Sequence, residues 1–137
     1  MIKITDEPIS PEQVVDKAKT PDSGCVVTYV GLIRDNSRGK SVVSIEYADA
    51  DGRAEARLRE IAEEIKQKWP VNTVAIHHRV GRLEVGDINL VVAIAAGHRE
   101  EGLAAVAYAI DRFKDRLPTF KRETYQDGSV WVGEQAG

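Results

Sequence analysis

A proline fixes where one element has to stop. The stretch Asp111 to Glu123 reads Asp-Arg-Phe-Lys-Asp-Arg-Leu-Pro-Thr-Phe-Lys-Arg-Glu. Helical apolar spacing enters it from Leu103 through Val106, Ala107, Ile110 and Phe113 to Leu117. Pro118 lacks an N–H and clashes with the turn before it, so the helix ends there and an extended segment follows at once. Whatever the fold, it must bring a helix end and a strand start together, with Lys114 on the first and Lys121 on the second.

On a helical wheel at ~100° per residue with Leu103 at zero, Ile110 falls near ~340°, Ala107 near ~40° and Lys114 near ~20°. The spacing therefore puts a lysine inside the apolar sector. Two readings stand side by side. The stem can lie over the core edge with its ammonium in water, close to the negative end of the helix. Alternatively the ammonium sits in a low-dielectric pocket, where it can act as acid, base or nucleophile. Together with Lys121 it would form an anion site.

The 137 residues fit one domain with a real core, and 42% apolar with 30% charged residues is ordinary for a globular protein. A net charge of -3 supplies no basic excess for nucleic acid. The apolar runs are too short for a bilayer, and Met1-Ile2-Lys3-Ile4 opens a strand pattern with no signal-peptide core, so the cytoplasm is the expected location. The single cysteine, Cys25, rules out an internal disulfide and any multi-cysteine metal site. Within Cys25-Val26-Val27 it reads as a buried small hydrophobe.

From the start, Ile2 to Thr5 reads as a strand and Ser10-Pro11-Glu12-Gln13 as a capped helix start running to about Lys19. Gly24 to Ile33 reads as a central strand, and Asn36 to Lys40 as a solvated loop carrying Arg38 and Lys40. Arg34 stands where the strand meets that loop. Val42 to Tyr47 reads as a strand. The stripe Ala54, Leu58, Ile61, Ala62, Ile65 and Trp69 predicts a helix stopped by Pro70, with Arg59, Glu63, Glu64 and Lys66 facing solvent. In the strand Thr73 to Val80, His77 and His78 are adjacent and point to opposite sides, so no metal is expected there. Reversals at Gly81 and Gly86 flank a short strand.

Ile88 to Ala96 is the most apolar strand. Gly97-His98-Arg99-Glu100 carries it into the long helix, and the free N–H groups of a helix start suit an anion. After the helix, Phe120 to Tyr125 and Ser129 to Val132 flank Gln126-Asp127-Gly128 as a hairpin. Alternation puts Lys121, Glu123 and Tyr125 on one face and Phe120, Arg122 and Thr124 on the other. The fold class expected is α+β.

Arg34, His98, Arg99, Lys114, Lys121 and Arg122 thus gather at element ends, as a phosphate-bearing or carboxylate-bearing ligand would require. His98 and Lys114, however, stand ~24 Å apart along one helix at 1.5 Å per residue. Either the site is an elongated groove, or a second copy of the chain supplies one end, making a homodimer with shared sites.

Four segments carry a family resemblance along almost the whole chain: Gly24 to Gly31 with Arg34-Asp35; His78-Arg79-Val80-Gly81; His98-Arg99; and Lys114 to Glu123. The chain resembles the large, catalytic subunits of molybdopterin synthase, the MoaE family. The resemblance implies an α/β hammerhead with an added antiparallel β subdomain, residues 1–137 forming a single unit. It implies a sulfurtransferase that turns cyclic pyranopterin monophosphate into the dithiolene of molybdopterin. Sulfur would come from the C-terminal Gly-Gly thiocarboxylate of a small ubiquitin-like carrier subunit, two carriers flanking a central homodimer in a heterotetramer. No cofactor or metal is implied.

Carried over by position, Lys114 and Lys121 match the family's functional lysines, with Lys114 expected to meet the carrier tail and Lys121 to act on the pterin as acid, base or charge stabiliser, an assignment that sequence alone leaves open. Leu32, Ile33, Arg34, His98, Arg99, Arg122 and Glu123 match positions that hold the substrate. Opening a cyclic phosphate and expelling a carboxylate both develop negative charge, which the cations would meet. The chain departs from the family at Thr119-Phe120, where members usually carry a bulkier pair. Two other classes compete: a non-catalytic phosphate or nucleotide sensor, and a scaffold that docks the carrier for another enzyme.

Overall fold

The computed structural model describes residues 1–117 and 119–134, so Pro118, at which the helix stop is expected, and the final Gln-Ala-Gly lie outside the described residues. The uncharged run Ile88 to Ala96 needs cover on both faces. It forms β7 (Ile88–Ala96), buried from Leu90 onward. The sheet around it has the order β1 (Ile2–Thr5), β5 (Val71–Arg79), β7, β2 (Cys25–Leu32). Only β1 and β5 run parallel.

Helices α2 (Ala54–Lys68) and α3 (Arg99–Arg116) cover one face of this sheet. Leu58, Ile61 and Ile65 of α2 meet Val106, Ala109 and Phe113 of α3 over Val74, Ile76, Val92 and Ile94. Helix α1 (Pro11–Ala18) covers the other face, with Val14 and Ala18 on Ala75, Val91 and Ala93. Its start is as expected: Ser10 accepts from the Gln13 N–H at 3.3 Å and Pro11 holds the first helical position.

A second, antiparallel sheet has the order β3 (Asn36–Ser37), β4 (Lys40–Ala48), β8 (Phe120–Tyr125), β9 (Val130–Glu134), with β6 (Gly81–Glu84) also pairing β4. Its small core contains Ile33, Val42, Ile45, Leu83 and Tyr125. Gly128 closes the β8–β9 turn at φ +86°, where a side chain would be strained. The mixed α+β architecture agrees with the fold class expected, and the second sheet is the antiparallel addition.

Four details differ from the sequence reading. β2 is an edge strand rather than a central one, because β7 supplies its pairing on one side only. Asn36 to Lys40 is a tight β3–β4 hairpin instead of a solvated loop, with Arg38 at φ 54° and Gly39 at φ 76°. In α3 the buried stripe is Gly102, Ala105, Val106, Ala109 and Phe113, while Leu103 is 55% exposed. Lys114 consequently sits on the exposed flank; spacing alone could not say which of two neighbouring apolar sectors the sheet covers. Finally, Glu64 leaves the solvent face of α2 to accept hydrogen bonds from Tyr108 and Arg116 of α3, tying the two helices together.

His78 and His77 do point to opposite sides, and His78 is fully buried at 0% exposure. Its Nδ1 lies 2.8 Å from the Asn89 carbonyl, and its ring meets the edges of Tyr47 and Phe113 at centroid distances of 5.2 and 5.0 Å. Burial pushes its pKa down to about 4, against the upward pull of the Asn89 hydrogen bond and of the Asp49 charge. Above pH 6.5 the ring is neutral folded and unfolded alike. Below it the unfolded chain takes up a proton that the folded one refuses, so stability falls as pH drops from about 6.5 to about 4. At ~1.4 kcal/mol per pH unit this amounts to on the order of 3 kcal/mol. In urea titrations from pH 7 to pH 4, His78→Gln should lose correspondingly less stability than the parent chain.

Candidate active site

The end of α3, the exit of β2 and the start of β8 converge on a cleft of about 530 Å³ between the two sheets. Lys114 enters from the last turn of α3, and Lys121 from the second residue of β8. Leu32, Ile33 and Arg34 form the wall where β2 ends; Ile33 is buried, whereas Leu32 is 57% exposed. Apolar cover comes from Tyr29, Ile45, Leu90 and Phe113, and neutral polar groups from Asn36, Ser37 and Asn89. Gly31 has no side chain for a packing reason: a Cβ there would meet Asn89 Oδ1 at 2.7 Å. Asn89 thereby reaches across to donate to the Tyr47 hydroxyl at 3.0 Å.

Glu123 lies at the base of the cleft and is 1% exposed. A carboxylate this deep needs several partners. Tyr125, two residues along the same strand face, donates its hydroxyl to Oε1 at 2.5 Å. Lys121 Nζ stands 3.3 Å from Oε2, and Arg38 Nε 3.8 Å from Oε1. Burial raises the carboxyl pKa, but hydrogen bonds from Tyr125 and Ser37 and the charge of Lys121 outweigh it, leaving the group below its ordinary value. Glu123 is therefore an anion that holds Lys121 in place. Arg38 is stacked on Trp131, 3.6 Å from the ring centroid, so the indole carries the second cation.

Six of the nine sequence-predicted residues thus share one cleft: Leu32, Ile33, Arg34, Lys114, Lys121 and Glu123. Arg122 faces away on the outer side of β8 and is exposed. His98 and Arg99 lie at the far end of α3 and line no part of the cleft. His98 is the N-cap residue, yet its side chain makes no capping hydrogen bond. Among the described residues no group of three potential metal ligands exists.

Sequence reasoning missed Tyr125, Arg38 and Trp131. The hairpin turn carried the signal, since counting back from Gln126-Asp127-Gly128 pairs Glu123 with Trp131. Arg38 could not be found in that way, because its approach depends on how the β3–β4 turn folds over the second sheet. As built, the cleft can neutralise an anion with two ammonium groups and a guanidinium, position it against aromatic walls, and stabilise negative charge that forms during a reaction.

The MoaE protein family model matches residues 4–116. A molybdopterin synthase catalytic subunit from Halalkalibacterium halodurans is 39% identical over 132 residues, covering 96% of this chain and 85% of that protein. Among solved structures, the crystal structure of molybdopterin synthase from Staphylococcus aureus superimposes with a TM-score of 0.89 at 33% identity, covering 95% of this chain and 94% of that one. A complex of subunits 1 and 2 of the molybdopterin-converting factor from Helicobacter pylori gives a TM-score of 0.75 over 92% of this chain and 86% of that one; at 15% identity, this is a likeness of fold.

The partners of Glu123 separate stability from chemistry. Glu123→Gln removes a buried charge-assisted network and should cost about 2 kcal/mol in chemical denaturation. Lys121→Ala leaves Tyr125 and Arg38 on the carboxylate and should unfold closer to the parent midpoint.

Proposed function

The chain belongs to the MoaE family, and on that premise we propose that it is a molybdopterin synthase catalytic subunit, converting cyclic pyranopterin monophosphate to molybdopterin with sulfur from a small partner subunit. The observation that carries this reading is the convergence of Lys114 and Lys121, from two different elements, on one cleft. The family model and the named relatives supply the reaction class. The cleft supplies groups suited to it.

The sulfur donor is a thiocarboxylate at the C-terminus of a ubiquitin-like carrier, whose extended Gly-Gly tail enters the cleft. Its sulfur bonds to a side-chain carbon of the pterin as an oxygen substituent leaves that carbon, and water then cleaves the acyl–sulfur link, so that the sulfur stays on the substrate and the carrier leaves as a carboxylate. Each stage places negative charge on oxygen or sulfur, and opening the cyclic phosphate adds another anionic centre. Lys121, held by Glu123 at the cleft base, stands ready to stabilise charge or move a proton at the pterin. Lys114, more exposed at the helix end, is placed to meet the incoming tail. Arg34 at the cleft wall offers a guanidinium to the phosphate.

His98, Arg99 and Arg122 join the site only if a second copy contributes. Two features support such a homodimer: the edge strand β2 exposes Val30 and Leu32, and α3 exposes Leu103 beside an exposed Ala107. The carriers would then complete a heterotetramer. Among the described residues no helix is long and apolar enough to cross a membrane.

In a reconstituted reaction with thiocarboxylated carrier and cyclic pterin, Lys121→Ala should reduce dithiolene formation ~100-fold or more, the usual range for losing a positioned acid or base. Lys114→Ala should also impair turnover, with the weaker dependence on pterin concentration expected of a group that serves the tail. Unchanged product formation in both variants would refute the catalytic reading. Cys25 is partly buried with its thiol 3.7 Å from the Ala96 carbonyl. Cys25→Ser should therefore keep full activity with fresh carrier, as an external sulfur source requires.

A further inference from the structure

The face of the first sheet turned away from the lysine cleft carries a second cationic cluster. Side chains alternate along β5, so Val74 and Ile76 enter the core beneath α2 and α3 while Ala75 faces α1. His77 follows Ala75 to the α1 side. Parallel pairing sets Lys3 of β1 directly beside His77, and Lys17 of α1 reaches the same hollow. With Thr5 and Ser10 they line a space of about 70 Å³. At ~30 Å³ per water, this holds about two waters or one tetrahedral ion.

Charge and hydrogen bonding at the hollow both favour an anion. Burial lowers the His77 pKa first, and the positive charges of Lys3, Lys17 and the amino terminus lower it further. No acidic side chain is among the described residues that line the hollow, and Asp16, which precedes Lys17 on α1, is engaged with Lys19 at 2.9 Å. The Ser10 hydroxyl oxygen already accepts from the Gln13 N–H, and that of Thr5 accepts from the Glu7 N–H at 3.1 Å. Each hydroxyl hydrogen therefore remains available to donate. Donors from two strands and a helix surround a space with no acceptor charge in it. In a protein of net charge -3, that local concentration of positive charge draws a counter-ion to this face.

We propose that this hollow binds a small tetrahedral oxyanion, phosphate or sulfate, through Lys3, Lys17 and the His77 ring, with the Ser10 and Thr5 hydroxyls as neutral donors. It shares no residue with the lysine cleft and lies on the opposite face of the sheet. The ion ties β1 and β5 to α1, so binding stabilises the packing of that helix as well.

The test follows the His77 ring signals of the full-length chain by NMR during titration with inorganic phosphate, at ionic strength held constant with chloride. Sulfate is titrated in parallel. A saturable shift is expected with either oxyanion, weakened at least tenfold in the double variant Lys3→Ala/Lys17→Ala and preserved in Lys121→Ala. Should the double alanine variant fold poorly, Lys3→Gln/Lys17→Gln keeps the side-chain bulk and carries the same expectation. The proposal is overturned by a shift that chloride alone reproduces, by one that does not saturate, by one that survives neutralisation of both lysines, or by one that disappears with Lys121→Ala.

Discussion

A carboxylate cannot be buried alone, and the anion of Glu123 organises much of the second sheet. At 1% exposure it has to collect a hydroxyl from Tyr125, an ammonium from Lys121 and a guanidinium from Arg38. Each comes from a different place: the same strand face, the strand start and the β3–β4 hairpin. Trp131 on the neighbouring strand supports the guanidinium from behind. Lys121 is thereby locked in direction, the kind of preorganisation that electrostatic catalysis demands of a charged group.

The lysine cleft exists because two sheets of different character meet at the end of α3. The first sheet is covered on both faces and contributes rigidity; the second has a small core and contributes polar side chains. His78 joins the two regions, with its ring wedged between Tyr47 of the second sheet and Phe113 of α3. Both aromatic rings also line the cleft. The neutral imidazole is thus part of the floor on which the site rests, and its burial keeps it unprotonated down to about pH 4.

Helix α3 also sets a limit. Eighteen residues long, it separates His98 and Arg99 from Lys114 by more than a small substrate can span. The chain therefore divides its cations into a gathered set and a distant set. Leu103 and Leu32, large and exposed, belong to surfaces that a partner could cover. Completing the site by association would explain both the distance and the exposure.

The order of elements was legible in the sequence because local rules act within a few residues. Proline stops, capping residues, the apolar run of β7 and the turn at Gln126 to Gly128 each fixed a boundary or a register without help from the rest of the chain. The pairing of Lys114 and Lys121 in one cleft was legible as well, since seven residues around a helix end leave little freedom. What sequence left open were choices decided by contacts between distant segments. Which sector of α3 the sheet covers, whether β2 lies inside or at an edge, and whether Arg38 faces water or Trp131 all depend on packing partners many residues away. Local preference specifies an element and its alternative faces; only the closed tertiary structure decides which face is buried, because burial is a property of the neighbour as much as of the residue.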